Sequence, residues 1–140
     1  MTSYLYLSLG GHSPLIDLMS SSAMGRLLNY FYVNRKPIGS ICHGPTVFAS
    51  LSLVSATWPL KGKKMTVFSD NEEKFNEVTW NATLGYYPQD ILTNLGGSVS
   101  VTAVPFVSHV VTDGLLVTGQ NPQSAPDFGQ AFLSVLQANN

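Results

Sequence analysis

Charge is what this sequence has least of. Asp, Glu, Lys and Arg make up 11% of its residues, less than half the roughly one quarter usual in a soluble domain. Seven basic and eight acidic side chains leave a net charge of −1, so there is no electrostatic footprint for nucleic acid or an anionic lipid surface. A surface this poor in charge is hard to keep in solution, which leads us to expect that part of it is covered by a partner or by further chain. A single cysteine excludes an internal disulfide and fits a reducing compartment. No apolar run approaches the ~18 residues of a membrane span. The opening Met1-Thr2-Ser3 lacks the basic stretch of a signal peptide. The expected location is therefore cytoplasmic. Cys42, His12, His43 and His109 have none of the paired spacings of a metal site, so no metal is expected. Repeats and low-complexity segments are also missing.

What is present suits one domain over residues 1–140, with 44% hydrophobic residues and enough length to bury a core without staples. Tyr4–Leu9 reads as a short strand that stops at Gly10-Gly11. Ile16 to Val33 has apolar residues at helical spacing. Pro37–Ile41 is a second short strand, and Gly44-Pro45 opens a helix, with proline in a first-turn position that needs no N–H. Met65–Phe68 reads as a strand after the basic turn Lys61–Lys64. Ser69 to Asn81 is polar and acidic, and reads as an active-site loop. Pro88 to Leu95 is a helix stopped by Gly96-Gly97, and Ser98–Val104 a further strand. His109 to Gly119 forms a hairpin around Asp113-Gly114, and Pro126 to Ala138 a closing helix. Strands alternating with helices predict an α/β fold with a mostly parallel sheet. In such sheets ligands sit at the carboxyl ends of the strands. Gly10-Gly11-His12, Cys42-His43 and Ser69 through Glu73 all fall at such ends.

Small residues lie two places before and after the cysteine in Gly39-Ser40-Ile41-Cys42-His43-Gly44-Pro45. A sharp strand-to-helix turn that presents a nucleophile requires this. At a helix N-terminus the macrodipole favours an anion and can lower a thiol pKa from ~8.5 towards ~3.5–7.5. Cys42 is therefore expected to be a reactive thiolate; the competing reading is a buried cysteine acting as a small hydrophobe. Backbone N–H groups of Gly11 and His43 could face one oxygen and form an oxyanion hole, unless Gly10-Gly11 is only a turn. His43, adjacent to the nucleophile, could act as base or acid if a carboxylate orients it. Asp70, Glu72 and Glu73 are the candidates for that carboxylate.

These residues resemble the DJ-1/PfpI superfamily, whose members are class I glutamine amidotransferase-like, and in particular its Hsp31-like class with the glutathione-independent glyoxalases. The matching pieces are Gly10 through Leu18, Ile41-Cys42-His43-Gly44-Pro45, Leu60 through Lys64 with Asn71-Glu72-Glu73, and Gly114 through Ala125. They span nearly the whole chain in the family's order. The cysteine motif is shared across the superfamily; the Gly-Gly-His turn and the Thr118-Gly119-Gln120-Asn121-Pro122-Gln123-Ser124-Ala125 segment belong to the Hsp31-like side. The resemblance implies a flavodoxin-like three-layer sandwich and often a homodimer. It implies Cys42 as nucleophile and His43 as proton carrier. Glu73 aligns best as the third member, with Glu72 as runner-up. The implied reaction converts methylglyoxal, a small 2-oxoaldehyde, into D-lactate with neither metal nor organic cofactor. The alternatives are a non-catalytic or chaperone-like stress-response member that keeps the fold without turnover, and a cysteine amidase, peptidase or protein deglycase.

Two departures accompany the likeness. Ser13 stands where the family usually has glycine. Relatives also begin upstream of the Gly-Gly-His turn, with a strand beside the one matching Tyr4–Leu9 and a glutamate that contacts the cysteine; no residue here matches either. The resulting expectations are a domain partial at its N-terminus, an exposed apolar edge at Tyr4–Leu9, and a chain that is poorly soluble or associates through that edge.

Overall fold

The computed structural model describes residues 4–139. In chain order the strands are β1 (Tyr6–Ser8), β2 (Ile38–Ile41), β3 (Lys64–Met65), β4 (Ser98–Val99), β5 (Val110–Asp113) and β6 (Leu116–Gly119). The α-helices are α1 (Ser22–Val33), α2 (Asp70–Trp80), α3 (Pro88–Asn94) and α4 (Ala125–Ala138). A 3-10 helix over Gly44–Leu53 follows β2, and a π-helical turn over Pro14–Leu18 follows β1.

The main sheet has the order β1-β2-β6-β5, in which β1, β2 and β6 run parallel and β5 antiparallel; β3 and β4 pair in parallel as a second, two-stranded sheet. Strand alternation sends Ile38 and Leu116 to one face, with Leu28, Phe48 and Leu51, and Ile41 and Val117 to the other, with Phe128 and Phe132. The result is a sheet with helices on both faces, the flavodoxin-like α/β arrangement. Among the described residues no helix is long and apolar enough to cross a membrane.

The chain between Ile16 and Val33 is not one helix. Ser21 accepts a hydrogen bond from the Met24 amide and starts α1 there, leaving Ile16 in the π-helical turn. The segment Ser69 to Asn81 is a helix, not a loop. Ser69 and Glu72 form a capping box, Asp70, Glu72 and Glu73 occupy the first turn, and Asn81 ends the helix in the left-handed conformation, all favourable termini.

The strands expected at Met65–Phe68 and Ser98–Val104 shrink to two residues each. Beyond Met65 the ladder is replaced: the Thr66 amide donates to Thr118 Oγ1 and the Phe68 amide to the Cys42 carbonyl. The hairpin turns through Gly114, whose φ of 63° suits glycine. Strand β1 lies at an edge of the described sheet, with Leu5, Leu7 and Leu9 at least 40% exposed. This is the apolar edge the sequence leads one to expect.

The register that positions the site aligns Ser8, Ser40 and Thr118 across β1, β2 and β6. Their successors, Gly10, Cys42 and Gln120, therefore emerge at one carboxyl edge.

Candidate active site

Cys42 occupies the elbow after β2 with φ of 64°, a left-handed conformation that a side-chain-bearing residue adopts only when its surroundings impose it. The surroundings are explicit. The Cys42 amide donates to Gly119 O at 2.9 Å and its carbonyl accepts from the Phe68 amide at 3.0 Å. Gly10 abuts the elbow from β1: a Cβ there would lie 2.5 Å from Cys42 Cβ and 2.9 Å from Sγ, so no larger residue fits.

His43 is buried, its ring stacked on Phe68 at 4.4 Å. Nδ1 lies 3.2 Å from Cys42 Sγ, and Nε2 makes a short hydrogen bond to Glu73 Oε1. Burial pushes the Glu73 carboxyl up, but its hydrogen bond to His43 and the positive charge that His43 and His12 can carry outweigh this and hold it below its ordinary value. An ionised Glu73 can only accept, so the proton it binds sits on His43 Nε2. Nδ1 is then the bare nitrogen, facing the thiol as an acceptor. Cys42, His43 and Glu73 thus form one continuous proton path.

The thiol itself departs from the expectation of a lowered pKa. Burial pushes Cys42 up to about 11; the amides of His43 and Gly11, which point at the sulfur, pull it down, and the carboxylates of Glu72 and Glu73 push it up again. The helix that follows is 3-10, not α, and its amides do not outweigh desolvation. At rest Cys42 is then a protonated thiol facing the bare Nδ1 of His43. Alkylation by iodoacetamide should therefore rise about tenfold per pH unit from pH 7 to 10, since only the thiolate reacts. A rate already level at pH 8 would contradict the raised pKa.

The two amides proposed for the oxyanion hole, Gly11 and His43, converge on the sulfur, and Gly11 reaches this orientation with φ of 93°. Ser13 has φ of −53° and ψ of −41°, a conformation open to any residue, so serine brings no backbone strain there. Of the candidate acids, only Glu73 reaches His43. Glu72 turns away and accepts from Ser69, Phe106, Gln120 and Asn121. Asp70 starts α2, its amide donating to Gln89.

The structure adds a residue that spacing did not assign to this cluster. His12 Nε2 is 3.5 Å from Glu73 Oε2, and its ring packs on His43 at 4.2 Å and edge-on to Trp80 at 5.5 Å. His12, His43 and Glu73 each offer a ligand atom, all within 4.8 Å of one another. Sequence spacing offers the histidines only as partners of Cys42. The fold groups two of them with Glu73 instead. The Gly10-Gly11-His12 turn at a strand end was the available signal for His12, and the two-turn separation of Trp80 from Glu73 along α2 the signal for Trp80.

Similarity to known proteins agrees with this architecture. The chain is 28% identical over 138 residues to glyoxalase 3 of Candida albicans, covering 96% of this chain and 58% of that protein. It is 27% identical over 135 residues to a protein/nucleic acid deglycase of Staphylococcus aureus, covering 89% of this chain and 44% of that one. The crystal structure of glyoxalase III from Candida albicans superposes with a TM-score of 0.78 at 25% identity, over 94% of this chain and 56% of that one. The chain thus spans about half the length of the curated relatives it matches. With the elbow cysteine, its adjoining histidine and the parallel sheet beneath them, and with the DJ-1/PfpI family model matching residues 7–135, the chain belongs to the DJ-1/PfpI family.

Proposed function

We propose that this chain carries the catalytic centre of a glutathione-independent glyoxalase that converts methylglyoxal into D-lactate. The observation that carries the reading is the proton path from Cys42 Sγ through His43 to Glu73. As the aldehyde arrives, the thiol proton passes to His43 Nδ1, and Glu73 balances the imidazolium. The thiolate adds to the aldehyde carbon, and the resulting oxyanion meets the Gly11 and His43 amides. His43 returns its proton to that oxygen, giving a hemithioacetal. The neutral ring then removes the proton from C1 and delivers it to C2, while the hydroxyl proton on C1 passes to the C2 oxygen through the same imidazole. C1 is oxidised to a thioester and C2 reduced to an alcohol, so no outside oxidant or reductant enters. Water cleaves the thioester, releasing lactate and restoring the thiol.

The test is D-lactate formation from methylglyoxal by the purified wild-type chain without glutathione. Stereospecific D-lactate is the expected result; a folded chain that forms none overturns the reading. A second reading, binding of unfolded chains, draws support from the exposed Leu5, Leu7 and Leu9 along β1. It predicts suppression of aggregation that does not depend on Cys42.

A further inference from the structure

We propose that His12, His43 and Glu73 form a zinc site whose occupation switches the nucleophile off. Three separate segments supply it: the turn after β1, the elbow after β2, and the first turn of α2. Their ligand atoms lie within 4.8 Å of one another. At Zn–N of about 2.0–2.1 Å and Zn–O of about 2.0–2.2 Å, neighbouring ligands of a tetrahedral zinc stand roughly 3.3–3.5 Å apart. The His12 Nε2 to Glu73 Oε2 separation is 3.5 Å, already the length of one edge of that tetrahedron. His43 and Glu73 are fully enclosed, whereas the His12 side chain is 30% exposed. Rotation of the His12 ring can therefore set its distance to His43, while the direct His43–Glu73 hydrogen bond must open for a metal to enter between them.

Two imidazoles and one carboxylate make a three-ligand set that leaves a fourth position to water. Imidazole donors select zinc over magnesium or calcium, which prefer oxygen. Cys42 is not one of the ligands: its sulfur faces His43 Nδ1, on the other side of the ring from Nε2.

The consequence for catalysis follows from where protons can sit. In the metal-free centre Nε2 carries the ring proton and Nδ1 is free to accept from the thiol. Zinc on Nε2 takes that position, and a neutral ring must then keep its proton on Nδ1. Nδ1 becomes a donor and cannot receive the Cys42 proton. Zinc also occupies the Glu73 oxygens that would balance an imidazolium. The same side chains therefore serve either the metal or the thiol. This switching role, unlike the binding itself, rests on the proposed function.

The decisive experiment titrates the chelator-treated chain with Zn²⁺ by calorimetry and with Co²⁺ by visible absorption. One equivalent per chain and intense tetrahedral Co²⁺ bands, erased by added Zn²⁺, are expected. His12→Ala and, as a second variant of similar shape, Glu73→Gln should each weaken binding at least about tenfold. Cys42→Ala and His109→Ala should bind as wild type. Absence of saturable binding, unchanged affinity in His12→Ala, or loss of binding in Cys42→Ala would each overturn the site. These readouts need no turnover: an inactive chain that binds zinc keeps the site and loses the glyoxalase reading, and an active chain that binds none does the reverse. In an active chain, one equivalent of Zn²⁺ should stop D-lactate formation and EDTA restore it. Full turnover at zinc saturation would overturn the switch.

Discussion

Cys42→Ala should abolish D-lactate formation, lowering kcat/KM by at least about 10⁴-fold, while leaving the fold intact. The chain has one cysteine, so no neighbouring thiol can substitute. The variant keeps every other part of the centre: the His43–Glu73 pair, the Gly11 and His43 amides, and the packing of Phe68. Loss of activity would therefore report the missing covalent bond itself, because removing a nucleophile leaves only the contribution of binding and oxyanion stabilisation. Alanine and cysteine both carry a Cβ, so the left-handed backbone at this position strains them alike. Cys42 is partly exposed, so removing its sulfur leaves at most a small cavity that water can reach. The check is kcat/KM beside a urea unfolding curve. Activity above a tenth of wild type, with a matching midpoint, would remove Cys42 from the mechanism.

Glu72→Ala should destabilise the protein by about 3–5 kcal/mol, a large share of the roughly 5–15 kcal/mol that holds a domain folded. Glu72 is fully buried. Its carboxylate accepts from the Ser69 amide at 2.9 Å and hydroxyl at 2.7 Å, the Phe106 amide at 2.8 Å, Gln120 Nε2 at 2.9 Å and Asn121 Nδ2 at 2.7 Å. One side chain thus ties the start of α2 to the loop carrying Phe106 and to the end of β6. Truncation leaves these donors buried without an acceptor, and each such orphan costs about 1–3 kcal/mol before the structure relaxes. Glu72→Gln should lose less, since its amide oxygen still accepts while its NH₂ group meets donors. Denaturant unfolding of both variants measures the difference. A loss under 1 kcal/mol in Glu72→Ala would show that water or loop movement satisfies the donors instead.

The pair Glu72-Glu73 also shows where the sequence could be read and where it could not. Both acids stood out as candidates, and only their geometry separates a carboxylate that meets His43 from one that knots the loops together. Ser69 to Asn81 reads as a loop in the sequence because it lacks a buried apolar stripe. Phe75, Val78 and Trp80 are all more than half exposed, and the inward positions are the two glutamates. Helical periodicity in hydrophobicity cannot register a helix that buries charge; the Ser69–Glu72 capping box was the signal to follow. The shortened β3 has a similar origin, since a Thr118 hydroxyl replaces a backbone acceptor, and no local pattern announces such a partner. The elbow and hairpin were legible because both depend on residues adjacent in sequence: small neighbours around Cys42, and Asp113-Gly114. The thiol pKa was not, because desolvation belongs to whatever the fold packs around the sulfur.

That resting thiol has a consequence beyond turnover. With its pKa at about 11, only on the order of one molecule in ten thousand carries a thiolate at pH 7. Hydrogen peroxide oxidises the thiolate and scarcely touches the protonated sulfur. On the proposed mechanism, a centre that ionises its thiol only when an acceptor for it has arrived spends little time in the form that oxidants consume. Cys42 is in this sense a fuse left unlit, and sulfenic acid formation at neutral pH is expected to be slower than at a permanently ionised cysteine.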